Sequence, residues 1–210
     1  MTKKSDQTKA FIIEQVAPIF NKKGYAATSM TDICSATKLT KGAIYGNFDN
    51  KEELSLLAFT HNVKKVVGKI AEELTPFKRA DKKLFALSNF YRKYYDYTIA
   101  FGGCPILNVG IDSNHQNPAL LKEVKRIIQK LEGNIAKIIE QGIQEGTFDP
   151  DLNASEYASS IFSMIEGSIF MAITMNNQAY ILNMMDILDQ SIHSKTIEQP
   201  SKKKQYVTQI

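Results

Sequence analysis

The 210-residue chain predicts an all-α fold of about nine helices, on three observations. Apolar residues recur three and four apart through most of the chain, the period of an amphipathic helix. No segment alternates apolar and polar residues as a half-buried strand would. Between the periodic segments stand the cap residues, glycines and prolines that start and stop helices. Apolar residues make up 43% of the chain, enough to bury a core.

The first helix is expected from about Asp6 to Lys23, on the stripe Ile12, Ile13, Val16, Ile19 and Phe20. Pro18 should bend or weaken it, and Gly24 should end it. Ser29 and Asp32 have the spacing of a capping box and open the second helix, which should bury Ile33 and Ala36. Thr37-Lys38-Leu39 turns the chain, with Leu39 plugging the corner, into a short third helix from Thr40 to about Phe48. Asn50 caps the fourth, with Glu53 at the box position; it runs to about Leu74, and Pro76 stops it.

Beyond it, one helix is expected from Asp81 to Ile99, crowded with Phe85, Phe90, Tyr91, Tyr94, Tyr95 and Tyr97, until Gly102-Gly103 breaks it. A short helix from Pro105 to about Asp112 follows. Asn117-Pro118 is a cap with proline in the first turn, a start signal for a helix that stops by Gly146. Asn153 and Glu156 start the next, which runs to about Asn176; the last covers about Gln178 to His193, and residues 196–210 read as a flexible tail.

The totals exclude several classes. Cys34 and Cys104 make no disulfide framework, and His61, His115 and His193 are too scattered for a metal site. No cofactor motif appears. The richest apolar stretch, Ser160 to Met175, is interrupted by Ser163, Glu166, Gly167 and Ser168, so no membrane span is expected. The N-terminus is polar and lacks the apolar core of a secretory signal, which points to a cytoplasmic protein. Residues 1–65 carry ten lysines against six carboxylates, the whole net charge of +4, while the remainder balances. A basic N-terminal segment on a neutral body suggests a polyanionic partner.

Three short helices with a tight turn between the second and third describe a helix-turn-helix. A helix entering a major groove roughly 12 Å wide needs small residues for close approach and donors for phosphates. Thr40-Lys41-Gly42-Ala43-Ile44-Tyr45-Gly46-Asn47-Phe48 has both: Gly42, Ala43 and Gly46 are small, Lys41, Tyr45 and Asn47 donate, and Ile44 and Phe48 face inward. Two glycines in so short a helix cost about 1 kcal/mol each against alanine, so groove contact explains them better than stability does.

The segments Gly24-Tyr25-Ala26-Ala27-Thr28-Ser29-Met30-Thr31-Asp32-Ile33, Leu39 to Phe48, and Asn50-Lys51-Glu52-Glu53-Leu54 resemble the DNA-binding signature of the tetracycline-repressor (TetR) family, nearly continuously over residues 8–57. The resemblance implies a dimeric all-helical regulator: an N-terminal three-helix DNA-binding domain (residues 1–50), a connecting fourth helix (51–75), and a ligand-binding and dimerisation domain (76–195). It implies phosphate contacts from Thr28 and Ser29, and a turn and recognition helix of Lys38, Thr40, Lys41, Gly42, Ala43 and Tyr45. Asn47 stands where the family often has a histidine that contacts phosphate, and Lys51, at the start of the fourth helix where backbone amides also point outward, is a further expected DNA contact. Gly46 replaces a larger, often polar residue, and Cys34 stands where alanine is usual. Gly102-Gly103-Cys104-Pro105-Ile106-Leu107-Asn108 is similar to a segment in one branch of the family.

Six aromatics in one helix exceed what one buried face needs, and tyrosine hydroxyls want partners. In the family this region helps line an effector cavity, which makes Phe90, Tyr91, Tyr94 and Asn108 candidate pocket residues; Glu166, in an otherwise apolar helix beside Ile165, Gly167 and Ile169, either reaches the pocket or faces solvent at the helix's polar edge. Small residues and methionines in the last two helices, among them Ser163, Gly167 and Met184 beside Ile187 and Leu188, allow close helix approach; the resemblance implies that these helices pair with their symmetry mates in a four-helix bundle, the alternative being an intramolecular core. The expected function is a repressor released from a palindromic operator by a small, largely apolar or aromatic effector, and not an enzyme. The rivals are a helical small-molecule enzyme, for which no nucleophile–base pair is evident, and a DNA-binding protein without a ligand.

Overall fold

The computed structural model describes residues 2–114 and 116–197, and those residues contain ten helices. Helix α1 (Thr2–Ala27) passes through Pro18 and kinks at Gly24, whose φ of 81° is open to glycine without strain. The long helix ends there, as expected, and the chain resumes beyond it for one short helical turn. The kink frees the Tyr25 N–H, which donates to the Asp112 carboxylate at 2.6 Å. Burial of Val16, Ala17 and Phe20 holds the segment around Pro18, where the Ala17 carbonyl accepts from Asn62 Nδ2 at 2.8 Å.

Helix α2 (Met30–Thr37) starts on the expected capping box: Ser29 Oγ accepts from Asp32 N–H, and the Asp32 carboxylate accepts from Ser29 N–H. Lys38 closes it in the left-handed conformation at φ 58°. Helix α3 is shorter than expected, Lys41–Tyr45, capped by Thr40. Ile33 is buried as expected; Ala36 is only half-buried. Helix α4 (Lys51–Leu74) follows Asn50, which caps it through Glu53 N–H. The Glu53 side chain reaches one residue further back than a capping box requires, to Asp49 N–H, and also takes Lys9 at 2.7 Å.

The aromatic segment is two helices rather than one. Helix α5 (Ala80–Arg92) and helix α6 (Tyr94–Phe101) meet at Lys93, with neither glycine nor proline to mark the break. Helix α7 (Pro105–Ser113), helix α8 (Pro118–Gln144), helix α9 (Ala154–Thr174) and helix α10 (Ala179–Lys195) complete the order. Helix α9 is long and apolar enough to cross a bilayer by composition, but it packs between α8 and α10 and carries a buried Glu166, as a core helix does. Thr196 and Ile197, expected in a loose tail, are tied down: Thr196 bridges Phe148, and Ile197 N–H donates to Thr147 O at 2.8 Å. The rest of that expected tail, residues 198–210, lies outside the described residues, as does His115.

Two apolar clusters result. The smaller unites Ile12, Val16, Phe20, Ile33, Ile44, Phe48, Leu54 and Ala58; the larger runs from Phe59 on α4 through α5 to α10. Phe148, fully buried, lies where a side chain on Gly142 would stand, so α8 and the α8–α9 turn close on each other. Phe148→Ala should lower stability by about 3–5 kcal/mol. Chemical denaturation checks this, with Phe11→Ala, at a site 44% exposed, as the near-neutral control.

Candidate nucleic-acid interface and effector cavity

Ile44 and Phe48 anchor α3 to the small cluster, at 1% and 2% exposure, so the opposite face must look outward. That face carries Lys41, Gly42, Ala43 and Tyr45, all exposed, flanked by exposed Lys38, Thr40 and Ser29. Lys41 Nζ sits 5.9 Å from the centre of the Tyr45 ring, so the two project together. Thr40 Oγ1 accepts from Ala43 N–H, and Ser29 caps α2.

Three of the expected contacts are placed differently. Thr28 is fully buried, and its hydroxyl donates to Gly24 O at 2.6 Å, so its side chain works as a brace below the kink. Asn47 turns its amide back on its own helix, donating to Ala43 O at 2.9 Å. Lys51 is half-buried with Nζ 4.4 Å from the Tyr25 ring centre; burial lowers its pKa and nearby Asp112 opposes that shift. Asp32, beside Lys23 and the Ser29 N–H, is held well below the usual carboxylate range.

The second site is a cavity of about 180 Å³ between α4, the α5–α7 region, α8 and α9. Val63, Val67, Ile70 and Leu74 of α4 form one wall, and Leu131 and Ile135 of α8 and Phe162 and Ile165 of α9 face them. Of the five candidate residues, Tyr91, Tyr94 and Glu166 line the cavity. Phe90 does not: it is buried behind them, its ring centroid 5.2 Å from Tyr91 and 5.4 Å from Tyr94. Asn108 does not either: its Nδ2 donates to Asn21 O at 2.9 Å and Gly102 O at 2.7 Å. Cys104 and Asn134 line the cavity and were not expected there. Cys104 was legible only as a neighbour of the Gly102-Gly103 break.

Cys104 Sγ donates to Glu166 Oε1 at 3.6 Å, while Glu166 Oε2 and Tyr94 Oη are buried without hydrogen-bond partners. Burial pushes the Glu166 carboxyl up from 4.5 to about 7, against a small opposing effect of the Cys104 hydrogen bond. Because the folded-state value is the higher, Glu166 favours folding below about 4.5 and costs stability as pH rises through 7. Burial and the Glu166 carboxylate both push the Cys104 thiol well up, so it stays a thiol and a poor redox group at neutral pH. Among the described residues, no group of three or more His, Cys, Asp or Glu stands together as a metal site would.

The segment Gly102–Asn108 ties the reader to the cavity. Asn21 of α1, 2% exposed, donates to Phe101 O and Gly103 O at 3.0 and 3.1 Å, and Asn108 returns a bond to Asn21 O. Gly103 has φ 106°, and a Cβ there would stand 2.6 Å from the Asn108 amide nitrogen. At the last two helices, Ser163, Gly167 and Ile187 are exposed and Met184 is half-buried, but Leu188 is fully buried and belongs to the core. Helical geometry turns adjacent Ile187 and Leu188 to different faces.

A helix-turn-helix with an outward third helix, sharing α4 with a helical body that holds an apolar cavity, is the arrangement of a DNA-binding regulator. The comparisons specify it. Residues 12–57 match the family model of bacterial regulatory proteins, tetR family, and residues 80–188 match the tetracyclin repressor-like C-terminal domain. The crystal structure of a TetR-family transcriptional regulator from Cytophaga hutchinsonii matches with a TM-score of 0.87 and 34% identity, covering 95% of this chain and 100% of that one. The HTH-type transcriptional regulator YhgD of Bacillus subtilis (strain 168) is 31% identical over 70% of this chain and 76% of its own. The HTH-type transcriptional repressor DhaR of Mycobacterium sp. (strain GP1) is 23% identical over 80% of this chain and 83% of its own. The chain belongs to the tetR family of transcriptional regulators.

Proposed function

We propose that the protein is a dimeric repressor released from its operator when a small apolar or aromatic effector enters the cavity. One observation carries this reading: α4 belongs to both halves. Its Leu54 and Ala58 pack in the reader's cluster, and Val63, Val67, Ile70 and Leu74 of the same helix wall the cavity. A molecule that favours one position of that wall therefore favours one position of the reader. A second path supports the first. Cys104 lines the cavity at the start of α7, and Asn108 and Asp112 further along α7 hold Asn21 and Tyr25 of α1.

Two copies would present α3 to successive major grooves about 34 Å apart on a near-palindromic site. The outer face of α9 and α10, with Ser163, Gly167, Phe170, Met171 and Ile187 exposed, suits pairing with a second copy. An architectural DNA-binding protein would have no use for the cavity. For nucleophilic catalysis in the cavity, the Cys104 thiol beside Glu166 would be a poor nucleophile.

Selection from random duplex DNA identifies the operator, and titration against salt tests the reader. Lys41→Ala should weaken operator binding and reduce the salt slope by about one, with folding unchanged. Lys51→Ala should weaken binding less and lower stability as well, because Lys51 covers the Tyr25 ring. Unchanged affinity and slope in Lys41→Ala would remove α3 from the interface.

A further inference from the structure

We infer that the cavity takes an apolar or aromatic molecule bearing one protonated amine, whose N–H groups donate to Glu166 Oε2 and Tyr94 Oη; this rests on the cavity being the effector site. Both oxygens are buried in the cavity region, and neither has a hydrogen-bond partner. Glu166 is 8% exposed on the buried face of α9, among Phe162, Ile165 and Ile169. A carboxyl group in that setting is costly unless something pairs with it. Leucine or glutamine would fill the position at lower cost, so the acid is better explained by its ligand than by the fold.

The charge balance selects the ligand's sign. The lining residues include no lysine, arginine or histidine. An anion would meet Glu166 and no counter-charge. A neutral molecule would leave the group protonated, or uncompensated once it ionises above about 7. An ammonium group supplies both the missing charge and the missing donors, and it would stand beside the Tyr91 and Tyr94 rings, whose faces attract cations. Size fits as well. An apolar cavity of about 150 Å³ is known to hold benzene, and this one, at about 180 Å³, has room for a ring with a short amine-bearing arm.

Entry of a cation would favour the ionised carboxylate, so binding would expel a proton near neutral pH and tighten as pH rises through about 7. The titratable groups facing Glu166 are Cys104 at the start of α7, Tyr91 of α5 and Tyr94 of α6; the cavity walls from α4 and α8 add none.

Calorimetry of the full chain with phenethylamine, phenethyl alcohol and phenylacetate tests the inference. The protein should bind the amine at least about ten-fold more tightly than the alcohol, and the acid weakest of all. Glu166→Gln should abolish the preference while retaining the alcohol. Tyr94→Phe, which keeps the ring, should weaken the amine several-fold and leave the alcohol unchanged. Equal affinities for amine and alcohol, or a preference that survives Glu166→Gln, would overturn the amine while leaving an apolar-effector cavity standing. Failure of all three probes to bind the unmodified protein would overturn both readings.

Discussion

Gly42→Ala is expected to make the protein more stable and a worse DNA binder. Gly42 lies in the first turn of α3, is exposed, and has nothing within 4 Å of the place its Cβ would occupy. Nothing in the folded protein requires a glycine there. Alanine should therefore stabilise the helix by up to about 1 kcal/mol through propensity alone. The same methyl group would project from the face that carries Lys41, Ala43 and Tyr45. If that face lies against DNA, the methyl stands between backbone and groove, and operator affinity should fall roughly ten-fold or more. Few positions separate the two effects so cleanly, since most substitutions that damage binding also damage the fold. Thermal denaturation and fluorescence anisotropy on the same preparation check both halves. Higher stability with undiminished operator affinity would mean that this turn of α3 does not approach DNA closely. Gly46 is a weaker version of the experiment, because a Cβ there would already stand 3.4 Å from Gly42 O.

The reader was largely legible in the sequence because its signals are local. A cap is decided within about four residues, and Ser29, Asn50, Asn117 and Asn153 all start helices through the N–H three positions on. The break between α5 and α6 was not legible, because Lys93 is a good helix former and nothing beside it interrupts a helix. The cavity was legible in part. Spacing showed an aromatic-rich helix but not which ring would face inward. Phe90 and Tyr91 are adjacent, about 100° apart around a helix, and only Tyr91 reaches the cavity. Cys104 and Glu166 are 62 residues apart, and their meeting depends on how α7 and α9 pack, which no local pattern encodes. Asn108 failed as a pocket residue for a different reason. A polar side chain near a suspected pocket looks like a ligand contact, whereas this one satisfies two carbonyls across the joint between the two halves.

That joint gives the last prediction. Asn108→Ala should leave operator recognition intact and reduce the effector's power to reverse it. The substitution removes the donors that hold Asn21 O and Gly102 O. It also removes the group packed against Gly103, which fixes the entry into α7. Leaving two carbonyls without this donor should lower stability by about 1–3 kcal/mol. The contacts that build the reader face, Ile44 and Phe48 on the small cluster and the Ser29 and Thr40 caps, lie elsewhere and should persist. Coupling should suffer more than either site. An effector can shift the reader only by its differential affinity for two arrangements, and that difference reaches α1 through α4 and α7. With the Asn108 bonds lost, the bonds from Asn21 to Phe101 O and Gly103 O, the Tyr25–Asp112 bond and α4 would carry what remains. Operator titrations with and without a saturating effector would show a smaller affinity ratio in Asn108→Ala than in the unmodified protein. A preserved ratio at lowered stability would make Asn108 a brace alone and leave α4 as the carrier of the signal.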